Sequence, residues 1–144
     1  MIKRAKAEDA GMLAALAIQM WKDNDPEELA EEFRRLTADE DAACFLKYTD
    51  GRPVAFAQCQ LRHDYVEGTD SSPVGYLEGV FVSEGYRRKG YAAELLKECE
   101  KWASEKGCTE FASDCELCNA ESLGFHTAAG FREVNRIICF RKEL

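Results

Sequence analysis

The feature that most constrains the fold lies in the second half of the chain. An apolar run, "VGYLEGVFV" (74–82), leads through "GYRRKGYA" (85–92) into an amphipathic segment. There Tyr91, Ala92, Leu95, Leu96, Cys99, Trp102 and Ala103 recur at helical spacing, and Gly107 supplies a stop before a second short run, "CTEFASD" (108–114). Strand, helix and strand in this order predict a right-handed parallel β-α-β unit.

The rest of the chain builds a mixed sheet around that unit. Residues 2–4 suit a short strand, and Met12, Leu13, Leu16, Ala17, Met20 and Trp21 mark a helix over 8–21. Pro26 opens a second helix with Leu29, Phe33 and Leu36 on one side. "ACFLKYTD" and "VAFAQCQLRHDY" read as strands joined at Asp50-Gly51-Arg52-Pro53, a hairpin signal. Residues 64–73 are polar, with Gly68 and Pro73, and predict a loop. "NAESLGFHTAAGF" suits a short helix ending at Gly130, and "VNRIICFRK" a final strand. The expected order is β-α-α-β-β-β-α-β-α-β, an α/β fold in one domain over residues 1–144.

Composition narrows the function classes. No run of about 18 apolar residues is present to span a membrane, and the N-terminus has no apolar block of a secretion signal. Seven cysteines, mostly in apolar runs, are expected to be reduced, buried hydrophobes of a cytoplasmic protein. Cys115 and Cys118 form a C-x-x-C, but no second pair completes a zinc site, even counting His126, so no metal is expected. The net charge of −8 argues against general nucleic-acid binding and suits a cationic partner.

Against that acidic background, Arg87, Arg88 and Lys89 lie between Gly85 and Gly90. The glycine spacing is that of a triphosphate loop, but Tyr91 and Ala92 stand where Lys and Ser/Thr are required. A dinucleotide fingerprint is absent, and "KGYA" continues into a helix rather than an RNA-binding strand. What remains is a basic glycine turn at a helix start, where free N–H groups and the helix dipole favour phosphate. Gly90 puts no Cβ in the way of an anion.

Residues 87–92 resemble the acetyl-coenzyme A loop of the GNAT superfamily, Q/R-x-x-G-x-G/A. Asn119, His126 and Gly130-Phe131 resemble its downstream Asn, Tyr and Gly-Phe/Tyr positions. More narrowly, "RHDYVEGTDSSPVGYLEGVFV" (62–82) and "KGCTEFASD" (106–114) are similar to the aminoglycoside 6'-N-acetyltransferases. The resemblance implies that the backbone of Val80, Phe81 and Val82 pairs with the pantetheine arm and polarises the thioester. It implies that Arg87, Arg88, Lys89, Gly90, Tyr91 and Ala92 hold the pyrophosphate and that Asn119 bonds the arm.

Glu78 is a charged residue inside an otherwise apolar strand. By two-residue periodicity it shares a face with Val80 and Val82 unless a bulge intervenes. It is either a carboxylate paired at a strand end or the group that receives the substrate ammonium and takes its proton, directly or through water. Asp114 is the second such carboxylate, and the resemblance implies that both bind the acceptor amines. Trp21 and Tyr65 match positions lining the sugar site, with core packing the other reading of Trp21. His63 is expected to be a structural hydrogen-bonder. Asn135 stands where the resemblance implies an acidic residue, so one substrate contact is altered. His126 replaces the tyrosine that many superfamily members use as acid for the thiolate; it is either that acid or a packed helix residue.

These features predict an acetyl-coenzyme A-dependent N-acetyltransferase of the aminoglycoside 6'-amine, with a polyamine, another small amine or a protein N-terminus as alternative acceptors. A non-catalytic coenzyme-binding module is the third reading. The apolar terminal strand "RIICF" points to a homodimer.

Overall fold

The parallel unit forms as its spacing predicts. The computed structural model describes residues 1–144. Strand β1 (Ile2–Arg4) leads through a 3₁₀ turn (Ala7–Asp9) into helix α1 (Ala10–Ala17) and helix α2 (Pro26–Ala38). Strands β2 (Ala42–Thr49), β3 (Arg52–Arg62) and β4 (Val74–Val82) follow, then α3 (Tyr91–Glu105), β5 (Phe111–Ser113) and α4 (Ala120–Ala128). The sheet order is β1-β2-β3-β4-β5, with β4 and β5 parallel and the other neighbours antiparallel.

Local chemistry explains most boundaries. Asp25 caps α2 by accepting from the Glu28 N–H at 3.1 Å, with Pro26 at the first helical position. Asp50 and Gly51 adopt φ of 50° and 75°, so the β2–β3 turn is of the primed kind that suits a twisted hairpin. The first helix is shorter than its apolar spacing predicts and stops at Ala17, although the Trp21 N–H still reaches the Ala17 carbonyl at 2.8 Å. Strand β3 likewise ends at Arg62, before the polar loop.

Two clusters cover opposite faces of the sheet. Leu13, Leu16, Leu29 and Phe33 from α1 and α2 pack with Leu46, Phe56 and Phe81. On the other face Leu95, Leu96, Cys99 and Trp102 of α3 pack with Ala55, Ala57 and Leu77. Burying a side chain such as Phe33 contributes about 1.5–3 kcal/mol. Near one sheet edge, Asp9 is buried, and burial works to raise its pKa. The Lys6 N–H at 2.8 Å and Lys3 Nζ at 3.0 Å outweigh that and hold it below the usual range.

Two expectations are corrected here. Residues 131–144 form no strand within the chain, and Ile137, Ile138 and Phe140 are exposed. A strand is completed by a neighbour's backbone, and this segment finds none in its own sheet. The cysteines also divide: Cys44, Cys59 and Cys99 are buried, whereas Cys115, Cys118 and Cys139 are exposed. Burial pushes the Cys44 thiol up to about 12 and keeps it protonated.

Candidate active site

Strand β4 loses its parallel neighbour halfway along. Pairing with β5 runs only from Gly75↔Phe111 to Leu77↔Ser113, while β3 continues to pair with β4 up to Val82. One backbone edge of Val80, Phe81 and Val82 therefore has no strand beside it. The turn that follows is shaped by three left-handed residues, Gly85, Arg88 and Gly90, with φ of 88°, 63° and 81°. Gly90 is the N-cap of α3 and offers no side-chain cap, so the first-turn N–H groups face outward unsatisfied. Arg87 Nε donates to the Val82 carbonyl at 2.9 Å, tying the turn to the strand. Arg88 and Lys89 are exposed beside it.

The bulge decides where Glu78 points. Gln58 pairs with Gly79 and Cys59 with Leu77, which leaves Glu78 as the extra residue of β4. Val80 and Val82 pack toward the α3 cluster, whereas Phe81 between them and the Gly79 position face the α1 side with Trp21. Glu78 thus does not share a face with Val80 and Val82, as simple alternation predicts. It turns instead to Arg62, whose Nε and Nη2 donate to Oε1 at 3.0 and 2.8 Å, and Nη2 also to Oε2 at 3.1 Å.

The cluster extends to the second carboxylate. The Arg62 guanidinium lies 3.5 Å over the Tyr76 ring, and the Tyr76 hydroxyl donates to Asp114 Oδ2. Burial, then the bond to Asp114, pushes the Tyr76 phenol well above its usual range, so it stays a donor. Glu78, Arg62, Tyr76 and Asp114 form one connected polar group at the end of the β4–β5 pairing. The paired reading of Glu78 is met by Arg62, although the carboxylate lies inside the strand rather than at its end, and it stays partly exposed.

His126 lies on α4, behind the last residue of β5. Nδ1 is 2.7 Å from the Ser122 carbonyl, which can only accept, so Nδ1 carries a proton. Nε2 is 2.7 Å from Ser113 Oγ, which in turn lies 3.3 Å from the Leu77 carbonyl. Both ring nitrogens are engaged, and Phe125 and Phe131 flank the ring. Asn119 caps α4, its Oδ1 accepting from the Ser122 N–H at 3.0 Å.

The remaining expected residues divide between two places. Trp21 packs edge-on to Phe56 at 6.2 Å and lies over Gly79, where a Cβ would come within 3.1 Å of the indole. It is half-buried, packing on Phe56 and bordering Gly79, the neighbour of Glu78 in β4. Tyr65 is 76% exposed in the 64–73 loop. Asn135 Nδ2 donates to Glu67 Oε1 of that loop at 2.7 Å, and Val134 covers Gly68. The loop is fastened by Glu110, whose Oε1 accepts from the Asp70 and Ser71 N–H groups at 2.9 and 2.8 Å. His63 pairs with Asp41 at 2.9 Å, the structural hydrogen bond expected of it.

Arg62, Tyr76, Ser113 and Glu110 are site residues that the sequence reading passed over. A signal existed for Tyr76, two residues before Glu78 on one strand. For Arg62 no local pattern names a partner 16 residues away.

Comparison with known proteins agrees with this architecture. Residues 11–131 match the model of the acetyltransferase (GNAT) family. The aminoglycoside N(6')-acetyltransferase type 1 of Serratia marcescens is 41% identical over 131 residues, covering 90% of each chain. That of Stenotrophomonas maltophilia is 40% identical over 144 residues, covering 99% of this chain and 93% of its own. The solved structure of AAC(6')-Iy with the bisubstrate analog CoA-S-monomethyl-acetylneamine superposes with a TM-score of 0.95 at 34% identity, covering 100% and 98% of the two chains. The chain belongs to the GNAT acetyltransferase family, in its aminoglycoside N(6')-acetyltransferase branch.

Proposed function

We propose that this single-domain chain transfers an acetyl group directly from acetyl-coenzyme A to the 6'-amine of aminoglycosides. One observation carries the reading: the open edge of β4 lies between an uncapped, basic helix start and a pair of carboxylates. The first feature suits an anionic donor and the second a cationic acceptor.

In this reading the backbone of Val80, Phe81 and Val82 holds the pantetheine arm as an added strand and polarises the thioester carbonyl. Arg87, Arg88, Lys89 and the amides of Gly90, Tyr91 and Ala92 hold the pyrophosphate, and Asn119 bonds the arm. Glu78 and Asp114 receive the acceptor ammonium, and one of them takes its proton so that the neutral amine attacks. Trp21 and Tyr65 line the sugar site, and Asn135 contributes an uncharged contact through the 64–73 loop. In its imidazolium form, protonated on Nε2 as well as Nδ1, His126 is the acid for the departing thiolate. Its Nε2–H donates to Ser113 Oγ while the Ser113 hydroxyl passes its own proton to the sulfur, leaving His126 neutral.

The acting unit is a cytoplasmic homodimer. Supporting the dimer, the exposed apolar residues Val134, Ile138 and Phe140 lie on a segment without a ladder, and β5 is a sheet edge. Supporting the compartment, all seven cysteines are free thiols. Sedimentation of the Ile138→Asp, Phe140→Asp double variant should give a monomer where the parent gives a dimer. A monomeric parent at micromolar concentration removes the dimer.

The deciding experiment is an acceptor panel. Purified protein with acetyl-coenzyme A should release thiol with aminoglycosides bearing a free 6'-amine and not with those lacking it. Release only with polyamines or peptides would reassign the acceptor.

A further inference from the structure

The reading of Glu78 as the ammonium receiver leaves Arg62 unexplained. The guanidinium engages both Glu78 oxygens through three contacts of 2.8–3.1 Å. Any acceptor amine must therefore share Glu78 with a cation already in place. A pair kept only for stability has no need of the rest of the arrangement: Glu78 is the expelled residue of a bulge, and the Arg62 guanidinium lies over the Tyr76 ring. The same Tyr76 holds Asp114 by Oδ2, and Oδ1 keeps its capacity to accept.

Counting formal charges, one guanidinium against two carboxylates leaves the group at −1. Without Arg62 it stands at −2, and Glu78 loses the fork that fixes its plane. A polycation would then be gripped more strongly but in several orientations. Productive transfer needs one amine held at one distance from the thioester.

We infer that Arg62 is a positioning residue for the acceptor: it cancels one unit of site charge and orients Glu78, so that a single ammonium of a polycationic substrate docks in one pose. This rests on the acceptor reading above. Arg62→Gln should lower the acceptor KM about threefold to tenfold through the added negative charge. It should lower kcat about tenfold or more through lost orientation. Arg62→Lys restores charge without the planar fork, so its KM should return to the parental value while kcat stays intermediate. Methylguanidine added to Arg62→Ala should recover part of kcat. Coenzyme affinity should be the same in all of them.

Calorimetry with spermine in place of an aminoglycoside, without coenzyme, tests the charge component separately. Binding should be tighter to Arg62→Gln than to the parent or Arg62→Lys. This arm decides the charge role even if the parent turns over no aminoglycoside, a result that would sink only the substrate assignment. A raised acceptor KM in Arg62→Gln with unchanged spermine affinity overturns the inference. Loss of coenzyme binding together with a lowered Tm overturns it too, since Arg62 would then be a fold-stabilising residue.

Discussion

The two halves of the candidate site are built in opposite ways. Apart from Asn119 and His126, the donor half is continuous in sequence: residues 80–92 run from strand through turn into helix. The acceptor half takes Arg62 from β3, Tyr76 and Glu78 from β4, and Asp114 from the end of β5. In the proposed function the donor half recognises charge with helix-start amides, which hardly depend on residue type, together with Arg87, Arg88 and Lys89. The acceptor half relies on side chains whose positions depend on strand register. One can therefore be damaged without the other, and the following changes test that separation.

The largest effect is expected from Glu78→Ala. Loss of an ammonium receiver and base should reduce acceptor kcat/KM by about 10²–10⁴-fold. Asp114→Ala should move in the same direction, and calorimetric coenzyme affinity should stay close to the parental value in both. Equal loss of coenzyme binding would end the division into halves.

Gly90→Val probes the other half. At φ 81° a branched residue costs roughly 1–2 kcal/mol, yet a Cβ there meets nothing within 4 Å, so the fold should survive. Coenzyme affinity should fall about tenfold to a hundredfold, with acceptor binding unaltered. A normal coenzyme isotherm would show that the turn does not carry the phosphate.

Tyr76→Phe removes one hydrogen bond to Asp114 while keeping the ring under Arg62. A net bond of about 1 kcal/mol corresponds to roughly a fivefold drop in acceptor kcat/KM. A drop as large as that of Glu78→Ala would mean that the phenol itself takes part in proton transfer.

The smallest change is expected at the loop anchor. The Ser71 hydroxyl, followed by the Asp70 N–H, lowers the Glu110 pKa below the ordinary carboxylate value. Such a group contributes above its unfolded pKa, and the contribution disappears as pH falls through the lower folded one. Acceptor KM should thus rise only below about pH 4.5 in the parent. In Glu110→Gln it should be about twofold higher at every pH, read from initial-rate profiles.

How far the sequence could be read follows the same division. The limits of β4, the Asp50-Gly51 hairpin and the α3 stripe all depend on neighbours a few residues apart, and each formed as its spacing predicts. The alternation argument failed at Glu78 because a bulge is a relation between two strands, and the β3 register is not written in β4. Trp21 was ambiguous for a related reason: one half-buried ring both packs on Phe56 and borders Gly79. The terminal segment has strand-like residues but no ladder, because its periodicity specifies a face and not a partner.

The amino-acid order by itself determined the α/β class, the basic glycine turn and the presence of one carboxylate inside an apolar strand and another just past the next. These are properties of short stretches, set by backbone preference and by the period of apolar residues. Only the tertiary structure decided that Glu78 faces Arg62 and that Tyr76 links both to Asp114. Those contacts join residues 14–38 positions apart, and their geometry follows from sheet register, one bulge and the point where β4–β5 pairing ends.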